Sequence, residues 1–296
     1  MNEIEKFIQD LTKEVQESKK DAHQEEQLLR LQEVAKTYSG EDKIISSLEI
    51  LEKIKNSPER KYIKTGFTDL DTILGGFLTK QLVVISAPTK SGKTSFCVDI
   101  TSYLKDLNPM WLPFEETAEE LIMKFVERKE TPPLFYTPER ITGNTLTWVE
   151  KKIIEAKAKY DSKIIFIDHL HFIVDMGDNM SVQIGRTMRE LKQVAKKWDV
   201  VIVLIAHLKK TKMETQPDLE DLRDSSFIAQ EADTVIMLWR ETKRNQGKVE
   251  ITNNVNVSVQ ANRATGKTGN VSMVFENGRF LQREWQQEED EILTNW

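Results

Sequence analysis

The chain has 296 residues, of which 39% are hydrophobic and 30% charged, so it can hold one large domain with an appendage or two modest domains, around a sizeable core. Its first twenty residues are charged throughout, with no apolar stretch before a small-residue cleavage site, which excludes a secretory signal. The longest apolar run, Val200 to Ala206, is too short to cross a bilayer, and the net charge of −6 argues at first against a nucleic-acid partner.

Residues 1–60 read as charged helices with narrow apolar stripes: Ile4, Phe7, Ile8, Leu11 and Val15, then, past Tyr38-Ser39-Gly40, Ile44, Ile45, Leu48, Leu51 and Ile54. Such stripes cannot form a core alone and need the body of the chain or another subunit. This segment holds 10 Lys/Arg against 14 Asp/Glu, and residues 284–291 hold five acids and no base. The acidic ends account for more than the whole net charge and leave the body mildly basic, which permits a nucleic-acid site without demonstrating one. Three parts are expected: a helical linker or oligomerisation segment at 1–60, the main domain at 61–283 and an acidic tail at 284–296.

From Gly66 the texture changes to short apolar strands alternating with helical stretches, the pattern of an α/β fold with a mostly parallel central sheet. Strands are predicted at 82–86, 110–114, 163–168, 200–206 and 234–239, and helices at 93–106, 117–129, 145–160 and 181–198. A β-rich end follows, with strands at 249–260, 270–276 and 279–283, the last pair joined by an Asn277-Gly278 hairpin turn. Cys97, the single cysteine, reads as a buried core thiol. Its lack of a partner points to a reducing compartment, the cytoplasm.

The strongest chemical signal is Ala87-Pro88-Thr89-Lys90-Ser91-Gly92-Lys93-Thr94, which follows the strand Leu82–Ser86 and opens a helix. In that context the residues from Ala87 to Ser95 form a phosphate-binding loop of a P-loop NTPase. Lys93 places a charge near the β/γ-phosphates, the Thr94 hydroxyl is a Mg²⁺ ligand, and Gly92 lets the backbone approach closely. The strand Ile164–Asp168 ends in a carboxylate suited to holding a Mg²⁺-bound water. The strand before Glu115-Glu116-Thr117 ends in two more. One of these can polarise the attacking water; the alternative is that they merely cap the next helix.

Together these motifs resemble the RecA-like hexameric replicative DNA helicases: the DnaB type, the bacteriophage primase-helicases and Twinkle. Thr65-Gly-Phe-Thr-Asp-Leu-Asp71 and Leu74-Gly-Gly-Phe77 precede the phosphate loop as they do in that family. Ile165–Leu170 is similar to its Mg²⁺-aspartate strand, and Leu204-Ile-Ala-His-Leu-Lys209 is similar to the phage and Twinkle branch. Asp221–Ser226 with Gln230–Asp233 resembles a DNA-contacting loop, and Asn262-Arg263 with Thr265-Gly266 resembles the arginine-finger segment.

The resemblance implies a RecA-like core preceded by N-terminal helices, using ATP or another NTP with Mg²⁺. Glu115 aligns with the family's catalytic glutamate in preference to Glu116. His207, which alone would read as a core histidine, becomes the γ-phosphate sensor, and Arg263 acts in trans on a neighbouring subunit. The family's usual Lys two residues before that Arg is Ala261 here, so Lys267 or nothing supplies the second charge. Lys209, Lys210, Arg223, Asp224 and Ser226 are the implied DNA contacts. The partners implied are single-stranded DNA, further copies in a homo-hexamer, and a separate primase or polymerase, with no membrane. Residues 1–60 carry no zinc ligands or strand pattern for a primase domain. A RecA/RadA-like recombinase filament and a nucleotide-gated ring scaffold are the rival readings. His169 and His171 share one face of an extended segment, but no Cys or obvious third ligand accompanies them, so no histidine metal site is expected.

Overall fold

In the computed structural model, the described residues are 13, 26–27, 29–30, 43–56, 62–89, 91–174, 180–208, 216–221, 225–245 and 248–282. The chain divides into two compact units, residues 1–59 and 60–296. In the first, the described helix α1 (Ser47–Asn56) starts from a reciprocal cap: the Glu49 N–H donates to Ser46 Oγ at 3.1 Å, and the Ser46 N–H donates to Glu49 Oε2 at 2.8 Å. Ile44, Leu48 and Leu51 are exposed. Phe7 and Leu11 lie outside the described residues.

The second unit is built on one eight-stranded sheet. Its strands are β1 (Leu82–Ala87), β2 (Met110–Pro113), β3 (Ile164–Asp168), β4 (Val201–His207), β5 (Thr234–Asn245), β6 (Lys248–Asn262), β7 (Gly269–Glu276) and β8 (Arg279–Gln282), in the order β2-β3-β4-β1-β5-β6-β7-β8. The first five neighbours are parallel and the last three pairings antiparallel. Helices α2 (Thr68–Leu74), α3 (Lys93–Tyr103), α4 (Ala118–Glu127), α5 (Leu146–Tyr160), α6 (Met180–Trp198) and α7 (Ser225–Glu231) complete it.

The parallel strands are buried on both faces, which is why they read as continuous apolar runs. On one face Val83, Ile85, Phe166, Val203 and Ile205 pack with Phe96 and Ile100 of α3 and with Leu121 and Phe125 of α4. On the other, Leu82, Val84, Ile165, Ile202 and Leu204 pack with α5 and α6 through Val149, Ile153, Ile184 and Leu191. Side chains alternate along a strand, so Asp168 and His207 continue the parity that faces α3. That parity puts them on the side of Lys93 and Thr94.

The segment before the phosphate loop is scaffolding. Asp71 Oδ1 accepts from the Thr65 N–H and hydroxyl at 2.9 and 3.0 Å, which fixes the turn that starts α2. Gly75 and Gly76 then turn the chain at φ 78° and 106°, so that Phe77 can bridge back to Ile63. Phe67 stacks on Phe96 of α3 with ring centroids 5.2 Å apart, so this turn braces the helix behind the phosphate loop.

Three elements differ from expectation. Helix α3 stops at Tyr103 rather than 106, because Asn108 takes a left-handed conformation and Pro109 follows. Strands β5 and β6 extend well past the predicted 239 and begin before 249. Polar pairs, not apolar alternation, hold that hairpin: Arg240 donates twice to the Thr252 carbonyl at 2.8 and 3.0 Å, and Asn254 donates to Glu241 at 2.8 Å. The short helices α2 and α7 carry too few residues for a periodic signal. Asn277 and Gly278, at φ 51° and 80°, form the expected hairpin turn, since a tight two-residue turn needs positive φ at both positions.

Candidate nucleotide site

The ends of β2, β3, β4 and β1 lie side by side. Pro113 pairs with Asp168, Asp168 with Ile205, and Ala87 with His207. Residues that leave these strands therefore converge at the C-terminal edge of the sheet, where open α/β sheets bind ligands. Gly92 caps α3 at φ 88°. A Cβ there would meet the Phe280 ring at 3.1 Å, so both conformation and space call for glycine.

Lys93 is almost fully buried and its ammonium donates to the Ala87 and Pro88 carbonyls at 3.3 and 3.4 Å. Burial lowers its pKa, while Asp168 and then Glu115 pull it back up. Thr94 donates to Asp168 Oδ2 at 2.7 Å. Burial pushes Asp168 up to about 6 and Glu115 adds to the rise, against the hydrogen bond from Thr94. Asp168 Oδ1 is buried with no hydrogen-bond partner among the described residues. A hydroxyl and a carboxylate with a spare oxygen are hard donors, and they fit Mg²⁺.

The two glutamates after β2 are separated by their surroundings. Glu116 Oε2 is 2.8 Å from the Lys124 ammonium, and burial raises its pKa. Glu115 is half-exposed, with Oε2 3.7 Å from His169 Nε2 and 3.8 Å from His207 Nε2. Neither caps α4. Thr117 does so, accepting from the Glu120 N–H at 3.1 Å while Glu120 accepts from the Thr117 N–H at 2.7 Å. A cavity of about 520 Å³ opens beside this edge, lined by Thr94, Glu115, Glu116, Glu120, Met123, Lys124, Glu127 and Asp168.

Lys93, Thr94, Asp168, Glu115 and His207 thus meet at one edge, and Arg263 does not. It follows β6, whose last residue Asn262 pairs with Thr234 at the start of β5, and β5 runs parallel to β1 with Val83 opposite Thr234. Arg263 therefore stands at the N-terminal edge of the sheet, about 15 Å of strand from the phosphate loop. Its N–H donates to the Asp233 carbonyl at 2.8 Å and its guanidinium to the Gln230 carbonyl. Ala261 packs partly buried against the core, and Lys267 is exposed just beyond the same turn.

Within the Gln230–Asp233 stretch, Asp233 is structural. It accepts from the Leu82 N–H at 3.0 Å and from Lys192 at 2.7 Å, which ties α6 to the first strand. Of the implied DNA contacts, Lys209, Lys210, Arg223 and Asp224 lie outside the described residues, as does Lys90 of the phosphate loop. Ser226 is placed only by its backbone, in α7. Sequence reading missed His169 as a neighbour of Glu115 and His207. The signal was three chain-distant residues, each within two positions of a strand end.

The fold and this edge define a P-loop NTPase with a RecA-like core. The chain resembles the ATPase domain of G40P with a TM-score of 0.66 at 22% identity, covering 80% of this chain and 97% of that one. It also resembles a DnaB-like replicative helicase studied with primase, again at 0.66 and with 23% identity, covering 88% and 72%. The chain belongs to the DnaB-like helicase C-terminal domain family, whose profile matches residues 62–134 and 137–282. It is 25% identical over 283 residues to the replicative DNA helicase DnaC of Bacillus subtilis, and 24% identical over 291 residues to DnaB of Geobacillus stearothermophilus. It covers 82% and 85% of its own length in these matches but spans 62% and 63% of those relatives. No helix among the described residues is long and apolar enough to cross a membrane.

Proposed function

We propose that this chain is the motor of an ATP-dependent 5′→3′ DNA helicase, a homo-hexameric ring that moves on single-stranded DNA in the cytoplasm during replication. The observation that carries the reading is the split site: the phosphate loop and its carboxylates occupy one edge of the sheet, and Arg263 the opposite edge. One protomer cannot bring the two together. A ring that sets each N-terminal edge against the next protomer's phosphate loop can, and the arginine then stabilises transition-state charge in trans.

In that arrangement Lys93 and the loop N–H groups bind the phosphates, and Thr94 and Asp168 hold Mg²⁺, which when bound neutralises charge on the β/γ-oxygens. Glu115 takes the proton of the attacking water. His207, beside Glu115 and one residue before Leu208, reports γ-phosphate loss to the segment carrying Lys209 and Lys210. Those lysines, with Arg223, Asp224 and Ser226, grip the DNA backbone. Residues 1–60 tie neighbouring protomers together through their apolar stripes, and primase or polymerase is a separate partner. The test is hydrolysis with and without single-stranded DNA, with forked-duplex unwinding in the same buffer. DNA-stimulated turnover and unwinding without strand exchange support the helicase. Strand exchange would replace it with a recombinase, and turnover indifferent to DNA with a ring scaffold.

A further inference from the structure

Three of the four histidines in the chain gather at the nucleotide edge. His169 and His207 meet edge-to-face with ring centroids 4.2 Å apart, and His171 lies 5.5 Å from the first and 6.3 Å from the second. They come from different strands: His169 and His171 follow β3, and His207 ends β4. Glu115, following β2, brings a carboxylate oxygen 3.7 Å from one Nε2 and 3.8 Å from the other. One ligand atom from each of Glu115, His169 and His207 lies within 4.8 Å of the other two.

Ligand atoms about 2.0–2.1 Å from a tetrahedral zinc are about 3.4 Å apart. Two of the three spacings here exceed that by less than half an ångström, within reach of small side-chain rotations. We propose that Glu115, His169 and His207 form a binding site for a transition-metal ion of the zinc class, and that the bound ion inhibits hydrolysis by occupying Glu115. Two imidazoles and one carboxylate are a donor set for zinc or cobalt, whereas Mg²⁺ prefers oxygen and stays with Thr94 and Asp168. Three protein ligands leave a fourth position for water or a phosphate oxygen. The adjoining cavity is lined by five carboxylates and a single ammonium, a field that concentrates divalent cations. Glu115 is the half-exposed member of the set, so the ion can enter from solvent.

Metal binding stands on this geometry alone. Inhibition rests also on the assignment of Glu115 as general base, and the two are tested separately. Nucleotide-free protein is titrated with Co²⁺ and the visible ligand-field bands are read, then the Co²⁺ is competed away with Zn²⁺. One ion per chain is expected, with affinity at least tenfold weaker in His169→Gln and in Glu115→Gln but unchanged in Asp168→Asn. Wild-type protein without bands, or both ligand variants binding as tightly as wild type, overturns the site.

In the second arm, turnover with Mg²⁺ and ATP is followed against Zn²⁺, each protein compared with its own zinc-free rate. Wild type should lose at least tenfold at the Zn²⁺ concentration that displaces Co²⁺, and His169→Gln should lose less than twofold. Zinc-saturated wild type that hydrolyses at full rate overturns the inhibition. The zinc-free rate of Glu115→Gln then shows whether the base assignment fails with it.

Discussion

The Thr94 hydroxyl donates to Asp168 Oδ2 across 2.7 Å, although 74 residues separate the two in the chain. Asp168 is buried, and its carboxyl is pushed up to about 6 from an ordinary 3.8. The folded chain thus holds that proton more tightly than the unfolded chain. The resulting stability is fully present below about pH 4 and is lost as pH rises through about 6. Asp99 titrates in the same window, also raised to about 6 by burial. Asp168→Asn should therefore stabilise the metal-free fold at pH 7.5 by about 1–3 kcal/mol. It should also flatten, without abolishing, the fall in stability between pH 4 and 6.5. Urea unfolding in EDTA across that range checks this, and a variant less stable than wild type at pH 7.5 would refute it.

Lys93 and Glu115 occupy different parts of the site and should fail differently. Lys93→Ala is expected to lose nucleotide binding. Glu115→Gln should bind nucleotide with near-normal affinity and turn over about 10²–10⁴-fold more slowly. Glu116, held by Lys124 at 2.8 Å, should tolerate Gln with less than a tenfold loss. Binding by fluorescent-nucleotide titration and single-turnover hydrolysis separate the three. If Glu116→Gln is the dead variant, the two glutamates have been assigned in reverse.

The position of Arg263 at the far edge predicts dominance. Arg263→Ala protomers should bind ATP normally and hydrolyse it about 10³-fold or more slowly. Mixed with wild type, they should depress the rate by more than their fraction. A mixture whose rate follows the wild-type fraction linearly would remove Arg263 from the trans role.

Residues 1–58 should be needed for assembly and not for the fold of the ATPase unit. Deleting them should leave a folded, ATP-binding monomer by multi-angle light scattering. A persistent hexamer would show that the ring is held by the second unit alone.

His207→Ala and Arg223→Ala should separate coupling from grip. Arg223→Ala should weaken single-strand binding about equally for all sequences and reduce the salt slope by roughly one. His207→Ala should keep DNA and ATP binding but lose DNA stimulation of hydrolysis, together with unwinding. If DNA still accelerates the His207→Ala protein fully, the histidine is structural.

What could be read from residues in order was local. The phosphate loop was legible because strand, glycine-bearing turn and helix are contiguous from Leu82 to Tyr103. The buried parallel strands showed as unbroken apolar runs, and the last hairpin announced itself through Asn277-Gly278. The extended β5–β6 hairpin was not legible, because its pairs are polar and its partners lie across a turn. Register decided the rest. Only the pairing of Pro113 with Asp168 and of Asp168 with Ile205 brings Glu115, His169 and His207 within ligand distance, and the pairing of Thr234 with Val83 and with Asn262 sends Arg263 to the opposite edge. Those neighbours are set by strand order, a non-local property that no stretch of sequence encodes by itself. Chemistry-bearing residue types could be named one by one along the chain, whereas their distances followed only from the sheet that aligns the strand ends.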